Sequence, residues 1–182
     1  MNFCSNCGQP VAHRIPPDDN RERAICDHCD TIHYQNPLIV AGCVPDYKGS
    51  ILLCKRAIEP RAGYWTVPAG FMELDETVAE AAAREALEEA EATVTLGPMI
   101  AMVNVLRANQ VHIFFSATLD KPEFGVGEES LATELFAPDD IPWDEISFPS
   151  VRIALEQYLQ NKQSGRSDLT VCTAPHQTII NN

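Results

Sequence analysis

The stretch GFMELDETVAEAAAREALEEAE, residues 70–91, decides how the rest of the chain is read. It holds eight acidic residues, Glu73, Asp75, Glu76, Glu80, Glu85, Glu88, Glu89 and Glu91, against a single basic one, Arg84. Thr77 followed by Glu80 has the form of a capping box. The alanines behind it, Ala79, Ala82, Ala83, Ala86 and Ala90, predict a helix that ends near Ala90. At about 100° per residue, Glu85, Glu88 and Glu89 fall within roughly 100° of one another beside the alanine face. A solvated acidic face would be cheap, since like charges at this spacing repel by only about 0.2–0.5 kcal/mol per pair. These carboxylates, however, border the face expected to be buried. They also follow a Gly/Pro/aromatic loop, RAGYWTVPAG at residues 61–70, that would lie against them. Carboxylate oxygens in that setting suit a hard cation, magnesium or manganese.

Upstream of this stretch, residues 39–44 and 51–54 are apolar runs that predict buried strands, joined into a hairpin by turn-prone residues 45–49. Downstream, residues 99–106 and 111–119 predict two strands with a turn at 107–110, and residues 131–136 a further strand. A closing helix is expected over 150–163, with Val151, Ala154, Leu155, Tyr158 and Leu159 on one face. Strands around one sheet with helices flanking it give an α/β sandwich. Past residue 164 the chain is polar and irregular, so a mobile tail is expected over 164–182.

Four of the seven cysteines pair as Cys4-x-x-Cys7 and Cys26-x-x-Cys29, with eighteen residues between the pairs. This is metal-ligand spacing rather than a disulfide framework. Two such knuckles close a four-sulfur zinc site with no open position, which makes the zinc structural. Residues 1–35 are therefore expected to form a small zinc ribbon, ahead of a main domain at 36–163. His13, His28 and His33 lie in or beside the ribbon, but four thiolates already fill the zinc shell. Cys43 and Cys54 lie in apolar stretches and are expected in the core.

The 182 residues include 13 basic and 26 acidic side chains, a formal net charge of −13. That charge repels nucleic-acid backbones and anionic membranes at long range. The ribbon adds no basic footprint, with Arg14, Arg21 and Arg23 set against Asp18, Asp19, Glu22, Asp27 and Asp30. A phosphate substrate would need locally supplied positive charge, which divalent cations provide. No run of 18 apolar residues and no signal-peptide pattern occurs, so a cytoplasmic enzyme is the expectation.

At residues 70–91 the sequence resembles the Nudix hydrolase box: Gly, five residues, Glu, seven residues, Arg-Glu, an aliphatic, any residue, Glu-Glu, any residue, Gly, an aliphatic. Gly70, Glu76, Arg84, Glu85, Glu88 and Glu89 match in register. Two departures stand out. Glu91 occupies the final glycine position, and Ala86 and Ala92 the aliphatic ones. A glutamate costs about 1 kcal/mol if the left-handed turn at the helix end is kept. The resemblance implies an α/β/α sandwich with a mixed sheet and a metal-dependent pyrophosphohydrolase. Glu85, Glu88 and Glu89 would bind magnesium or manganese with the Gly70 carbonyl, while Arg84 and Glu76 brace helix and loop. It also implies a downstream carboxylate as ligand or general base; Glu129 is the candidate and Glu128 the runner-up.

A four-cysteine ribbon ahead of such a domain resembles NADH pyrophosphatases, and more closely a zinc-ribbon Nudix group acting on ADP-ribose and FAD with release of AMP. NFCSNCG at 2–8, RAIC at 23–26 and YQNP at 34–37 fit the latter, and no Ser-Gln-Pro-Trp-Pro-Phe-Pro stretch follows the box. Tyr64, Trp65 and Phe71 are candidates to stack on an adenine or flavin, with loop anchoring as the other reading for Trp65 and Phe71. Lys55, Arg56 or Arg61 could reach a phosphate. A catalytically silent ADP-ribose sensor is the alternative of another class. The related zinc-ribbon enzymes also suggest a homodimer.

Overall fold

The computed structural model describes residues 1–175. The chain divides into two units, one spanning Met1–Asn36 and one running from Pro37 onward.

In the first unit, β1 (Val11–Arg14), β2 (Arg23–Cys26) and β3 (Ile32–His33) form an antiparallel sheet in that order. Each Cys-x-x-Cys pair sits in a knuckle held by backbone bonds. The Gly8 N–H donates to Cys4 O at 2.9 Å and the Cys26 N–H to Thr31 O at 3.0 Å. Few side chains are buried here, and two of them, Cys4 and Cys26, are cysteines, so little apolar surface is available to hold the unit together.

The second unit begins with β4 (Leu38–Tyr47) and β5 (Ser50–Arg56), followed by short β6 (Trp65–Thr66) and β7 (Ala69–Phe71). Helix α1 (Val78–Ala90) follows, then β8 (Val94–Val105), β9 (Gln110–Leu119), β10 (Ser130–Phe136), α2 (Pro149–Ser164) and β11 (Thr170–Thr173). The sheet order is β10-β5-β4-β9-β8-β11, with β6 on β5 and β7 on β4. It is mixed, because β4 runs parallel to β9 and β11 parallel to β8 while the other pairs are antiparallel.

Strand alternation assigns the two faces. Ile51 and Leu53 of β5 join Val44, Ile100, Val103 and Phe114 beneath Val151, Ala154, Leu155 and Tyr158 of α2. Leu52 and Cys54 turn the other way, toward Ala90 of α1. Ala41 packs with Ala81 and Ala82, and Cys43 with Ala86. Small residues on β4 thus receive an alanine-faced helix, and the sheet lies between the two helices as an α/β/α sandwich. Among the described residues no helix is long and apolar enough to cross a membrane.

The hairpin is tighter than its composition predicts. Pro45 and Asp46 continue β4, and Lys48 and Gly49 alone turn the chain, with φ 52° and 95°. Asp46 is buried because it accepts bonds from the Gly49 N–H at 3.0 Å and the Tyr158 hydroxyl at 2.8 Å.

The expected mobile tail needs correction over its first part. Thr170–Thr173 adds a parallel edge strand to β8, Asn161 donates to the Asp168 carbonyl at 2.9 Å, and the Ala174 N–H reaches Asn104 O at 2.9 Å. Backbone pairing to an open sheet edge needs no hydrophobic period, so the sequence carries little sign of it. Residues 176–182 of that expectation lie outside the described residues.

His112 on β9 is buried between the Ser150 hydroxyl and the Gln110 side-chain oxygen, each 2.9 Å from a ring nitrogen. Burial lowers its pKa from 6.5 to about 4. The folded state therefore resists a proton that the unfolded chain accepts. Stability from this residue is complete above pH 6.5 and declines as pH falls to about 4, by on the order of 3 kcal/mol in total. In urea titrations across that window, His112→Gln is expected to flatten the decline relative to the wild type.

Candidate active site

Helix α1 opens with the capping box read from the sequence. The Thr77 hydroxyl accepts from the Glu80 N–H at 3.2 Å, and the Glu80 carboxylate accepts from the Thr77 N–H at 2.8 Å. At its other end Glu91 keeps the left-handed turn, with φ 49° and ψ 29°. Glu91→Gly is expected to relieve about 1 kcal/mol of backbone strain and to raise the melting temperature of the domain by about 2–4 °C in calorimetry.

The helix is turned relative to the alanine pattern. Its buried residues are Ala81, Ala82, Glu85, Ala86, Glu89 and Ala90, while Ala79 is exposed and Ala83 half-buried. Two glutamates therefore lie in the buried stripe, where hydrophobicity alone would place alanines. They face β7 and the loop before it. The Ala69 N–H donates to Glu89 Oε2 at 3.2 Å, and a Cβ on Gly70 would overlap the Glu85 carboxylate. Only glycine at position 70 lets that carboxylate reach the backbone.

Arg84 ties the box together. Its Nε and Nη2 grip both oxygens of Glu76 at 3.0 and 2.7 Å, and Nη2 also donates to Phe71 O at 3.0 Å. Nη1 reaches Glu85 at 2.7 Å and Glu88 at 2.9 Å. The Arg84 guanidinium, with the Glu73 N–H, holds the Glu76 carboxyl down to about 2. Glu88 points outward, its side chain 57% exposed, whereas Glu85 and Glu89 are 8% and 5% exposed. Burial pushes Glu89 up to about 8, against the pull of the Ala69 N–H, and pushes Glu85 upward against Arg84. The Glu129 charge adds to the upward push on both, and the Arg56 charge opposes it at Glu89.

Two buried acids whose ionisation is disfavoured make a site that gains from a divalent cation. The donors that would hold it are hard oxygens from Glu85, Glu88, Glu89 and the Gly70 carbonyl. Their side chains do not converge as the cysteines do. Among the described residues, Cys4, Cys7, Cys26 and Cys29 are the one group of potential ligands whose atoms all lie within 4.8 Å of one another. Cys4 Sγ is 3.6 Å from Cys29 Sγ, and Cys7 Sγ is 3.4 Å from Cys26 Sγ. Sulfurs at about 2.3 Å from a tetrahedral zinc would be about 3.8 Å apart, so the cluster fits that ion. His33 Nε2 lies 3.3 Å from Cys4 Sγ, a position from which it can bond a thiolate without entering the shell.

The substrate candidates separate by burial. Trp65 is a core residue: it is 7% exposed, meets Phe136 edge-on at 4.9 Å and carries Lys55 over its ring at 5.5 Å. It has no free face for a base, which corrects its assignment as a stacking platform; its place in a strand that pairs with β5 is the reason. Phe71 is 49% exposed. Tyr64 is half-buried with the Arg61 guanidinium over its ring at 4.9 Å. Arg56 is fixed by the Pro60 carbonyl at 3.0 Å and by the Phe148 ring at 5.2 Å. Phe148 escapes sequence reasoning, as do Gly125, Gly127 and Ser130 near the end of α1. The doublet of glycines just before Glu128 and Glu129 was a visible signal for the last group.

Known proteins share the family and the fold. The Nudix N-terminal zinc-ribbon family matches residues 2–35 and the NUDIX domain family residues 36–154. The NAD-capped RNA hydrolase NudC of Salmonella heidelberg (strain SL476) is 35% identical over 89 residues, which cover 48% of this chain and 32% of that protein. The protein of the same name from Photorhabdus laumondii matches to the same extent. The match thus spans about a third of the length of these curated relatives. The crystal structure of a NUDIX hydrolase from Nitrosomonas europaea superposes with a TM-score of 0.92 at 43% identity, covering 95% of this chain and 98% of that one. An ADP-ribose pyrophosphatase from Streptococcus suis shares the fold, with a TM-score of 0.60 at 21% identity over 76% of this chain and 99% of that one. With the box carboxylates set on α1 against the Gly70 loop and the NUDIX family matching well over half its length, this chain belongs to the Nudix hydrolase family.

Proposed function

We propose that this chain is a metal-dependent pyrophosphohydrolase that cleaves the diphosphate of ADP-ribose and/or FAD and releases AMP. The observation that carries the reading is the pair of buried acids, Glu85 and Glu89, held against the loop backbone at Ala69 and Gly70. Glu85, Glu88, Glu89 and the Gly70 carbonyl would hold magnesium or manganese. When bound, the cations supply positive charge to the diphosphate oxygens and acidify water. The Ala69 N–H orients Glu89, Arg84 keeps the helix registered on the loop, and Arg56 meets a phosphate oxygen of the substrate. Glu129 serves as a further oxygen ligand of the cation or accepts the proton of the attacking water, whose oxygen bonds to phosphorus as one phosphorus–oxygen bond of the linkage breaks. From ADP-ribose the products are AMP and ribose 5-phosphate.

The choice of ADP-ribose and FAD rests on the ribbon motifs and on the segment after the box, which lacks the Ser-Gln-Pro-Trp-Pro-Phe-Pro stretch. Similarity to NudC favours a second reading, hydrolysis of NADH or of an NAD cap on RNA. A net charge of −13 opposes the RNA substrate. A panel of ADP-ribose, FAD, NADH, NAD, dinucleoside polyphosphates and NAD-capped RNA under magnesium or manganese decides between them. The highest kcat/KM is expected for ADP-ribose or FAD. A preference of tenfold or more for NADH or capped RNA would favour the second reading, and tight binding of ADP-ribose without turnover would favour a sensor.

A further inference from the structure

The last carbonyls of a helix need partners from outside it. In α1, those of Glu89 and Ala90 are met by the segment that leads from β9 into β10. The Gly125 N–H donates to Ala90 O at 2.7 Å, the Gly127 N–H to Glu89 O at 3.2 Å, and the Ser130 hydroxyl to Glu89 O at 2.7 Å. Gly127 passes so near that a Cβ there would overlap the Glu88 carbonyl oxygen. The same segment is tied to β5, because the Glu129 carbonyl accepts from the Ala57 N–H at 2.8 Å and Ser130 pairs with Arg56. A register shift follows immediately between Ser130 and Ala132. Irregularities of this kind re-aim the neighbouring side chains and often stand beside active sites.

Glu129 is therefore suspended between the end of α1 and the end of β5. Glu129 is exposed, whereas Ser130 is only 8% exposed. We infer that Ser130 is a positioning residue: its hydroxyl, bonded to the backbone of Glu89, locks the Glu129 carboxylate in register with the metal-binding carboxylates of α1. The inference rests on the hydrolase reading above for the role of those carboxylates. A carboxylate displaced by about 1 Å at a reacting centre can lose about 10²-fold in rate. Loss of an outer hydrogen bond that orients a metal ligand typically costs about 10–100-fold in metal affinity or activity.

The test is a double-mutant cycle on the full chain, using Ser130→Ala, Glu129→Gln, the double variant and Ser130→Thr. Each is measured for Mn²⁺ affinity by titration calorimetry, for kcat and KM, and for melting temperature. Ser130→Ala is expected to lower Mn²⁺ affinity or kcat about tenfold with KM nearly unchanged. Ser130→Thr, which keeps the hydroxyl, should restore most of the loss. In the Glu129→Gln background, Ser130→Ala should add nothing. The inference is overturned if Ser130→Ala changes neither quantity, if its effect is additive with Glu129→Gln, or if the threonine fails to rescue while the fold is intact. A wild type that hydrolyses no diphosphate, yet shows the non-additive pattern in Mn²⁺ affinity, would sink the hydrolase reading and leave the positioning role standing.

Discussion

Glu89→Gln is expected to lower kcat by about 10²–10³-fold or more, the loss of several kcal/mol of cation-based charge stabilisation at about 1.4 kcal/mol per decade. The fold should survive. The amide is nearly the size of the carboxylate and its oxygen can still accept the Ala69 N–H, which lies 3.2 Å from Glu89 Oε2. The variant should even gain stability when metal-free, in a definite pH window. Burial pushes the Glu89 pKa from 4.5 up to about 8, so folding retains a proton that unfolding releases. The wild type without metal therefore loses stability as pH rises through that range, up to a few kcal/mol, and recovers it on acidification. Glutamine cannot ionise, so the melting temperature of the variant should exceed that of the wild type above pH 8 and match it below pH 4.5. Full turnover in Glu89→Gln would remove the residue from the metal site; a lower melting temperature at high pH would contradict its burial as a strained charge.

Cys26→Ser should release the zinc and unfold residues 1–36 while leaving the rest of the chain folded. Structural zinc supplies about 10–16 kcal/mol of apparent binding energy to units of this kind. Nothing else in the ribbon approaches that, since its sheet is three short strands and its charge pairs, Arg14 with Asp27 at 2.6 Å and Arg23 with Asp19 at 2.9 Å, are exposed and half-buried respectively. Amide spectra should show collapse of dispersion for residues 1–36 alone, because the second unit has its own core on both faces of its sheet. Removal of zinc by a chelator should reproduce the spectrum, and metal analysis should find one zinc per folded chain. A ribbon that stays dispersed without metal would refute a structural zinc. The solution mass of the same sample, before and after chelation, tests whether the ribbon helps to build a homodimer.

How much of this was legible beforehand depends on the kind of signal. The capping box, the positions of the main strands along the chain and the closing helix were readable, because each is written in local period and cap chemistry at Thr77, residues 51–54 and residues 150–163. The ladder of β11 was not, since an edge strand is made by backbone bonds to β8 that any short polar stretch can form. Trp65 was ambiguous for a related reason. An aromatic in a loop-like sequence can face a ligand or a core, and pairing of Trp65 with Lys55 in β5 puts it in the core.

The site divides in the same way. The residue types and spacing of Gly70, Glu76, Arg84, Glu85, Glu88 and Glu89 resemble the Nudix box, and that resemblance points to the family from sequence alone. The four cysteines likewise declare a tetrahedral site by spacing. Tertiary structure decided the depth of each carboxylate, sinking Glu85 and Glu89 and leaving Glu88 outside. It also set Ser130 against the backbone of Glu89, Arg56 beside Ser130, and Phe148 against the Arg56 guanidinium, from separate strands and loops. Helical and strand periods report which face a residue occupies, but ionisation and proton transfer depend on what the other face of the fold presses against it, and that is a property of packing between distant segments.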